Sequence, residues 1–381
     1  MTKPTYGFKV ASQVDQKRWD EDLMKSQSAY FFQTAEYQSF MANSKNKTPI
    51  FISIVDGTGA TNGQLGLIID EIPMTYSTTK LRVLAKGVSK LGKRATWAGG
   101  PIIHSGDHES RMRILRTIIE ALDFVAQKYN IIMIDGYTSP RDAYNENFKD
   151  ELKLNGYKIN DFFTFMTNLS KSDEEIWNGL NKNAQRDVLR AEKRGIVVKE
   201  LTLDALDEYF SLSKVWAKTK GITKSIPHTM KENYWNYYKK GVEKVFLAYE
   251  EGELVATHRL GCFNGIMYSH SLINSYEKQG SLGGPYLTWF AIKWAKQNGI
   301  RYFDFSGGES PPDGNDEQYQ KQWSSLLAYK RKWGGQEIPY FHWIKIRKKL
   351  SYKAMRALLR VDWSYRSFKK KKHDGAQKVA K

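Results

Sequence analysis

Three glycines, Gly280, Gly283 and Gly284, stand immediately before Pro285 and an apolar run at helical spacing, Leu287, Phe290, Ala291, Trp294 and Ala295. Glycines let backbone N–H groups approach a ligand closely, and the N-terminus of the helix that follows attracts negative charge. Proline is tolerated in the first turn of such a helix, and Gly299 suits its end. Residues 300–305 read as a strand, broken by Ser306-Gly307-Gly308, with Asp304 near its end. An aspartate there can orient an amine, or it can simply form the turn. A second constellation is basic: Lys182, Arg186, Arg190 and Arg194 recur every four residues and so share one ridge of a helix, with Lys193 beside them. Guanidinium groups grip phosphates in bidentate fashion, although Asp187 and Glu192 partly neutralise the row and a solvated helix face is the alternative. His258 and His270 alternate with strand neighbours, and each can point into a cleft or serve structure alone. No His, Asp and Glu cluster has metal-ligand spacing, and there is no P-loop or dinucleotide fingerprint, so no metal site is expected.

The elements that must position these residues alternate along the chain. Residues 49–55 and 65–69 read as two strands of a hairpin bent at 56–59, and residues 110–129 as an amphipathic helix with Ile114, Leu115, Ile118, Leu122 and Val125 on one face. A short apolar strand follows at 131–134. Residues 156–170 read as a strand, after which Ser172 and Glu175 have the spacing of a capping box. Aromatics crowd 232–240, and three strands are expected at 245–249, 254–262 and 266–272. An internal repeat appears at an offset of about 170 residues: ALDFVAQKYNIIMIDGYTSP from Ala121 and AIKWAKQNGIRYFDFSGGESP from Ala291. Both run helix, polar break, apolar strand, Asp, glycine-containing turn and Ser-Pro. The first copy lacks the glycine-rich turn before its helix, which assigns chemistry to the second copy or to the space between them.

The order of the second copy resembles the C-terminal half of the Fem family, non-ribosomal peptidyl transferases built like two fused GNAT-type acyltransferase domains. The matching pieces are Ala295-Lys296-Gln297-Asn298-Gly299, Phe303-Asp304, Gly307-Gly308, and Tyr329-Lys330 followed by Trp333-Gly334-Gly335. The family more often has Phe-Lys where this chain has Tyr-Lys. Phe32-Gln33-Thr34 is similar to the family's opening stretch, and is read here as an aromatic plug of the first core. The resemblance implies an α/β (α+β) fold of two tandem GNAT-like domains, each a mixed, mostly antiparallel sheet flanked by helices. The expected divisions are 1–160, 161–342, and a basic amphipathic helix and tail at 343–381 with Trp343, Ile346, Leu350, Ala354, Ala357 and Leu358 on one face.

The implied reaction is attack of an amine on an activated acyl group, which needs a proton acceptor for the amine and donors for the oxyanion. On this reading Lys330, Tyr286 and Asp304 are catalytic. Gly280, Gly283, Gly284, Tyr329 and the ridge Lys182, Arg186, Arg190 and Arg194 bind substrate. No cofactor is expected beyond the acyl donor as co-substrate. That donor is an aminoacyl-tRNA, with a cell-wall precursor or another phosphorylated or lipid-linked acceptor. The alternative donor is acyl-CoA, with a sugar or small amine as acceptor, although Gln279-Gly280-Ser281-Leu282-Gly283-Gly284 misses the GNAT pyrophosphate-loop spacing by one residue. A third reading is a non-catalytic protein that binds RNA or a membrane.

Composition sets outer limits. The 381 residues suffice for two cores, and the one cysteine, Cys262, rules out an internal disulfide framework and fits a reducing compartment. No signal peptide or membrane-spanning segment is legible, so a cytoplasmic protein is expected. The net charge of +18 is uneven: residues 343–381 hold 14 Lys and Arg against 2 acidic residues. Such a tail suits an anionic membrane surface or RNA, or serves only solubility.

Overall fold

The computed structural model describes residues 5–43, 47–71, 92–104, 106–142, 146–219, 229–276, 278, 280–309, 317–354, 356–357 and 360–361. Gln279, Leu358 and the Lys369–Lys372 run lie outside them. In chain order the elements are β1 (Tyr6–Ala11), α1 (Gln16–Leu23), α2 (Ala35–Ala42), β2 (Lys47–Asp56), β3 (Thr61–Glu71), β4 (Lys93–Trp97), β5 (Ile102–Ile103), α3 (His108–Lys128), β6 (Ile131–Tyr137), α4 (Glu146–Leu154) and β7 (Lys158–Asn168). They continue with α5 (Asp173–Asn178), α6 (Lys182–Lys193), β8 (Val197–Glu200), α7 (Leu206–Thr219), α8 (Thr229–Tyr238), β9 (Glu243–Glu250), β10 (Glu253–Phe263), β11 (Ile266–Asn274), α9 (Gly283–Gln297), β12 (Tyr302–Glu309), α10 (Glu317–Arg331) and β13 (Gln336–Ile346).

One sheet runs through the molecule in the order β1-β2-β3-β4-β6-β13-β7-β12-β11-β10-β9-β8, with β5 against β3. Two pairs are parallel, β4 with β6 and β11 with β12, and the remaining pairs are antiparallel. Each parallel pair encloses one copy of the internal repeat: α3 leads into β6 as α9 leads into β12. If each half kept its own last strand, β7 would lie against β6 and β13 against β12. The two strands are exchanged instead. β7 pairs with β12, β13 pairs with β6, and they pair with each other along Gln336–Ile344. The expected boundary at 160/161 therefore falls inside β7, and that at 342/343 inside β13.

This corrects the expectation that a C-terminal helix begins at Trp343. Trp343 and Ile346 are strand residues, because the slot between β6 and β7 draws the chain into a ladder in which Trp343 faces Gly136. Trp343 is fully buried and meets Trp97 edge-on at 5.5 Å between ring centroids. Helical residues follow only from 349, and there Leu350 is 83% exposed. Among the described residues no helix is long and apolar enough to cross a membrane.

Two main cores result. The first gathers Ile50, Ile52, Leu67, Ile118 and Leu122 and closes on Phe341 and Trp343 from β13; the second gathers Val188, Phe246, Leu287, Ile292 and Phe303 and closes on Phe165 from β7. Each core thus takes a strand from the other half. Local signals act as expected: Glu175 N donates to Ser172 Oγ at 3.1 Å and Ser172 N to Glu175 Oε2 at 2.7 Å, completing the capping box. The aromatics of α8 pack with Tyr209 and Phe210 in a core of their own. Gly136 is required by packing, since a Cβ there would lie 1.9 Å from Trp97 Cε2. Gly136→Ala is expected to cost about 1–3 kcal/mol by overpacking, read as a lowered urea midpoint at an unchanged slope.

Candidate active site

The site is built where β12 stops pairing regularly. β11 and β12 pair over only three residues, Ile266↔Tyr302 to Tyr268↔Asp304, although both strands run on. On the other side the register with β7 shifts between Asp304 and Gly307. Ser306, inside that irregularity, has φ +65°, a conformation that non-glycine residues adopt at a cost. The sheet opens here into a cavity of about 310 Å³, lined among others by Tyr30, Phe32, Thr164, Tyr268, Asp304 and Tyr340.

Asp304 is fully buried. Its Oδ2 accepts from the Tyr30 hydroxyl, and its Oδ1 accepts from the Thr164 hydroxyl and, at 2.7 Å, from the Ser306 amide. Burial raises its pKa above the ordinary carboxylate value, and the three donors and the charge of Lys330 only partly reverse this. Burial and the Asp304 charge together push the Tyr30 phenol far up, so it stays a donor.

Lys330, from α10, supports the irregular turn from beneath. Its Nζ donates to Ser306 O at 3.0 Å, Ser306 Oγ at 2.8 Å and Gly307 O at 2.8 Å, which uses all three ammonium protons. Burial lowers its pKa to about 8, against the upward pull of Asp304. Lys330 is thus placed to hold the backbone that positions Asp304; it is not among the cavity-lining residues.

The remaining expected residues lie elsewhere. Gly283 is a packing glycine: a Cβ would meet Val255 Cγ2 at 2.8 Å and Ala256 Cβ at 3.0 Å, and its amide donates to Ser281 Oγ at 3.2 Å. Gly284 lies against the Asn274 side chain, where a Cβ would meet Oδ1 at 2.3 Å. Gly280 has φ +84°, and its carbonyl accepts from Arg194 at 3.0 Å. Tyr286 is half-buried on α9 beside the second core, within reach of the Glu192 charge, and Tyr329 OH meets Thr288 Oγ1 at 2.9 Å. None of these lines the cavity around Asp304. His258 is buried with Nε2 2.8 Å from Ser269 Oγ, and burial pushes it down to about 4. His270 lies 3.7 Å from Glu243, whose carboxylate Arg259 holds through two hydrogen bonds of 2.7 and 2.6 Å.

The basic helix α6 does present a groove. A concavity of about 330 Å³ is lined by Lys182, Gln185, Arg186, Leu189, Arg190 and Lys193. Arg194 leaves this row, because it caps the helix and turns to Glu250 at 3.5 Å and to Gly280. Lys193 takes its place in the groove.

The sequence reading missed Tyr30 and Phe32. Phe32-Gln33-Thr34 was expected to plug the first core, yet Phe32 packs with Tyr30, Phe31 and residues of the second half such as Ile266 and Tyr268. Phe31 packs 5.5 Å from the Tyr268 ring, and Gly261 makes room for it, since a Cβ there would come within 2.6 Å of the Phe31 ring. Gln33 ties the segment to the first half through Gly66 N at 2.7 Å and Ala98 O at 2.8 Å. The partner of Tyr30 lies 274 residues away, which no local pattern can announce.

No family model and no curated protein sequence matches the chain. Among solved structures, FemX superposes with a TM-score of 0.66 at 14% identity, over 87% of this chain and 96% of that one. The C-terminal domain of a putative lysylphosphatidylglycerol synthetase from Agrobacterium fabrum has a TM-score of 0.52 at 11% identity, over 88% of this chain and 95% of that one. A tandem GNAT protein from the clavulanic acid biosynthesis pathway has a TM-score of 0.52 at 12% identity, over 90% of this chain and 98% of that one. At these identities the likeness is one of fold: the chain has a Fem-like, tandem GNAT architecture.

Proposed function

We propose that this protein is an acyltransferase that joins an aminoacyl group, carried by tRNA, to an amine bound in the cavity above Asp304. The observation that carries the reading is the buried carboxylate itself, held by three donors at the floor of an open cavity where a parallel strand pair separates. A carboxylate with a raised pKa is suited to take a proton from an ammonium group. The freed amine nitrogen then attacks the ester carbonyl. A C–N bond forms, the ester C–O bond breaks, and the second amine proton passes to the leaving ribose oxygen. The phenols of Tyr268 and Tyr340 stand on the cavity wall, where a hydroxyl can donate to an oxyanion.

The donor assignment rests on α6. Lys182, Arg186, Arg190 and Lys193 share one groove, and none makes an ion pair among the described residues, which suits a phosphate backbone. One structural neighbour is by its name a putative lysylphosphatidylglycerol synthetase, which joins a lysyl group to a phospholipid; it supports a phosphorylated or lipid-linked acceptor, for which a cell-wall precursor is the case that the Fem resemblance of the sequence implies. Such an acceptor fits action in the cytoplasm, with the basic tail touching an anionic membrane. The second reading, acyl-CoA as donor and a sugar or small amine as acceptor, is favoured by the glycine-preceded N-terminus of α9 and by the tandem GNAT neighbour.

Side-by-side equilibrium binding of aminoacyl-tRNA and acetyl-CoA separates the two. The first reading expects tRNA binding whose salt slope falls by about one for each of Arg186→Ala and Arg190→Ala. Binding of acetyl-CoA with no binding of tRNA would overturn it in favour of the second.

A further inference from the structure

Past β13 the chain leaves the sheet, and from Arg347 to Val361 it contains no acidic residue. Its start is fixed at the turn between α3 and β6. Arg347 N donates to Ile132 O at 2.9 Å, the Arg347 guanidinium pairs with Asp123, and Lys348 Nζ donates to Asn130 Oδ1. Residues 349–354, 356–357 and 360–361 are helical. At about 100° per residue, Leu350, Ala354, Ala357 and Val361 share one ridge, and Lys349, Lys353, Arg356 and Arg360 share the ridge beside it. All eight are exposed, Leu350 by 83% and Val361 by 55%. The half-buried residues are Ser351 and Tyr352, around the far side. The helix thus holds its apolar ridge away from the body, the reverse of what a helix covering a core does. None of the four cations makes an ion pair among the described residues.

We propose that residues 349–361 form an interfacial helix that lies in the surface of an anionic lipid bilayer, with Leu350, Ala354, Ala357 and Val361 entering the acyl boundary and the four cations among the headgroups. Each ridge has its counterpart in such a surface. The cations meet acidic headgroups, and the apolar ridge meets hydrocarbon a few ångströms below. A nucleic acid would match the basic ridge alone, and it offers nothing to an exposed Leu350. The proposal rests on the reading above that the basic end of the chain touches a membrane. It adds that the contact is an insertion by one ordered helix, where that reading has only charge attraction by a tail. It also orients the molecule. The helix is rooted at Ile132, whereas the cavity is lined by Tyr137 at the other end of the same strand. Five residues of strand separate these levels by about 17 Å. The helix therefore tethers the enzyme with its cavity held off the bilayer, and an acceptor that stays lipid-linked must reach up by about that length.

The test is co-sedimentation of the full chain with vesicles of phosphatidylglycerol and phosphatidylcholine in equal parts, and with vesicles of phosphatidylcholine alone. The mixed vesicles are expected to bind about a hundredfold more tightly. The double variant Leu350→Gln/Val361→Gln leaves the net charge unchanged and is expected to bind the mixed vesicles about tenfold more weakly, with thermal melting confirming the fold. Undiminished binding by this variant overturns the insertion and leaves charge attraction alone. A wild-type chain that ignores both vesicles, yet loses RNA affinity on Lys353→Gln/Arg356→Gln, overturns the proposal in favour of a nucleic-acid contact. Because the vesicles carry neither donor nor acceptor, the two readings fail separately. Vesicle binding without acyl transfer from either donor sinks the reaction and leaves the helix on the membrane, whereas acyl transfer by a chain that ignores vesicles sinks the membrane contact alone.

Discussion

Asp304→Asn is expected to reduce acyl transfer by about a hundred- to ten-thousandfold, the range associated with loss of a general base. The substitution keeps the shape. Its carbonyl oxygen can face the Thr164 hydroxyl and the Ser306 amide, which donate to Oδ1 in the native protein. Its NH2 group then faces Tyr30, whose hydroxyl can reverse its role and accept. What is lost is proton affinity, because an amide does not take a proton from an ammonium group near neutral pH. Single-turnover transfer from a preformed donor complex isolates this step, and donor binding at the α6 groove should be unchanged. Native transfer rates in the asparagine variant would remove Asp304 from the chemistry and reduce it to a turn-forming residue.

Lys330→Met should destabilise the fold by about 1–4 kcal/mol, the cost of leaving two half-buried carbonyls without their donor. Methionine fills a comparable volume, yet it gives nothing to Ser306 O or Gly307 O, which the ammonium now serves at 3.0 and 2.8 Å. The variant should also lose a pH dependence. The Lys330 amine titrates at about 8 in the folded protein against 10.5 for the ordinary side chain. Between these values the unfolded chain binds more protons, so wild-type stability should rise with pH across that window. Below pH 8 the amine is protonated in the folded and the unfolded chain alike, and the slope vanishes. Above pH 10 buried phenols such as Tyr30 and Tyr268, pushed up by burial, reverse the slope, so the useful window is pH 8 to about 9.5. Urea denaturation at several pH values checks both points, and a methionine variant that retains the rise would assign it to another group.

Much of the architecture was legible in the sequence for a physical reason: the signals involved are local. The apolar face of α3, the capping box at Ser172 and Glu175, and the paired helix–strand units are written in residues a few positions apart. Asp304 was legible because a strand-end aspartate before Ser-Gly-Gly is conspicuous on its own. The glycine turn was legible as a turn but not as a packing device, because what Gly283 meets, Val255 and Ala256, comes from a strand more than two dozen residues earlier. Lys330 was visible as a basic residue, but its partners at Ser306 and Gly307 place it under the turn. Trp343 was misread for a related reason. The helical spacing of Trp343, Ile346, Leu350 and Ala354 spoke for a helix, and nothing local says that a slot between β6 and β7 is waiting. The cavity walls were hidden altogether, since among the described residues their rings, Tyr30 and Phe32, Tyr137, Phe162, Tyr268 and Tyr340, come from five separate segments of the chain.

The exchange of β7 and β13 has a consequence for how the molecule comes into being. β13 is the last strand of the sheet in sequence and one of its two central strands in space. While the chain is being synthesised, β6 and β7 each wait with an unsatisfied edge, a row of N–H and C=O groups exposed to any passing strand. The final insertion then occurs at the middle of a nearly complete sheet, across loop closures that span about half of the chain and fold slowly for that reason. A nascent chain stopped short of Gln336 is a molecule with a cleft one strand wide, poised to accept the same segment from a second copy.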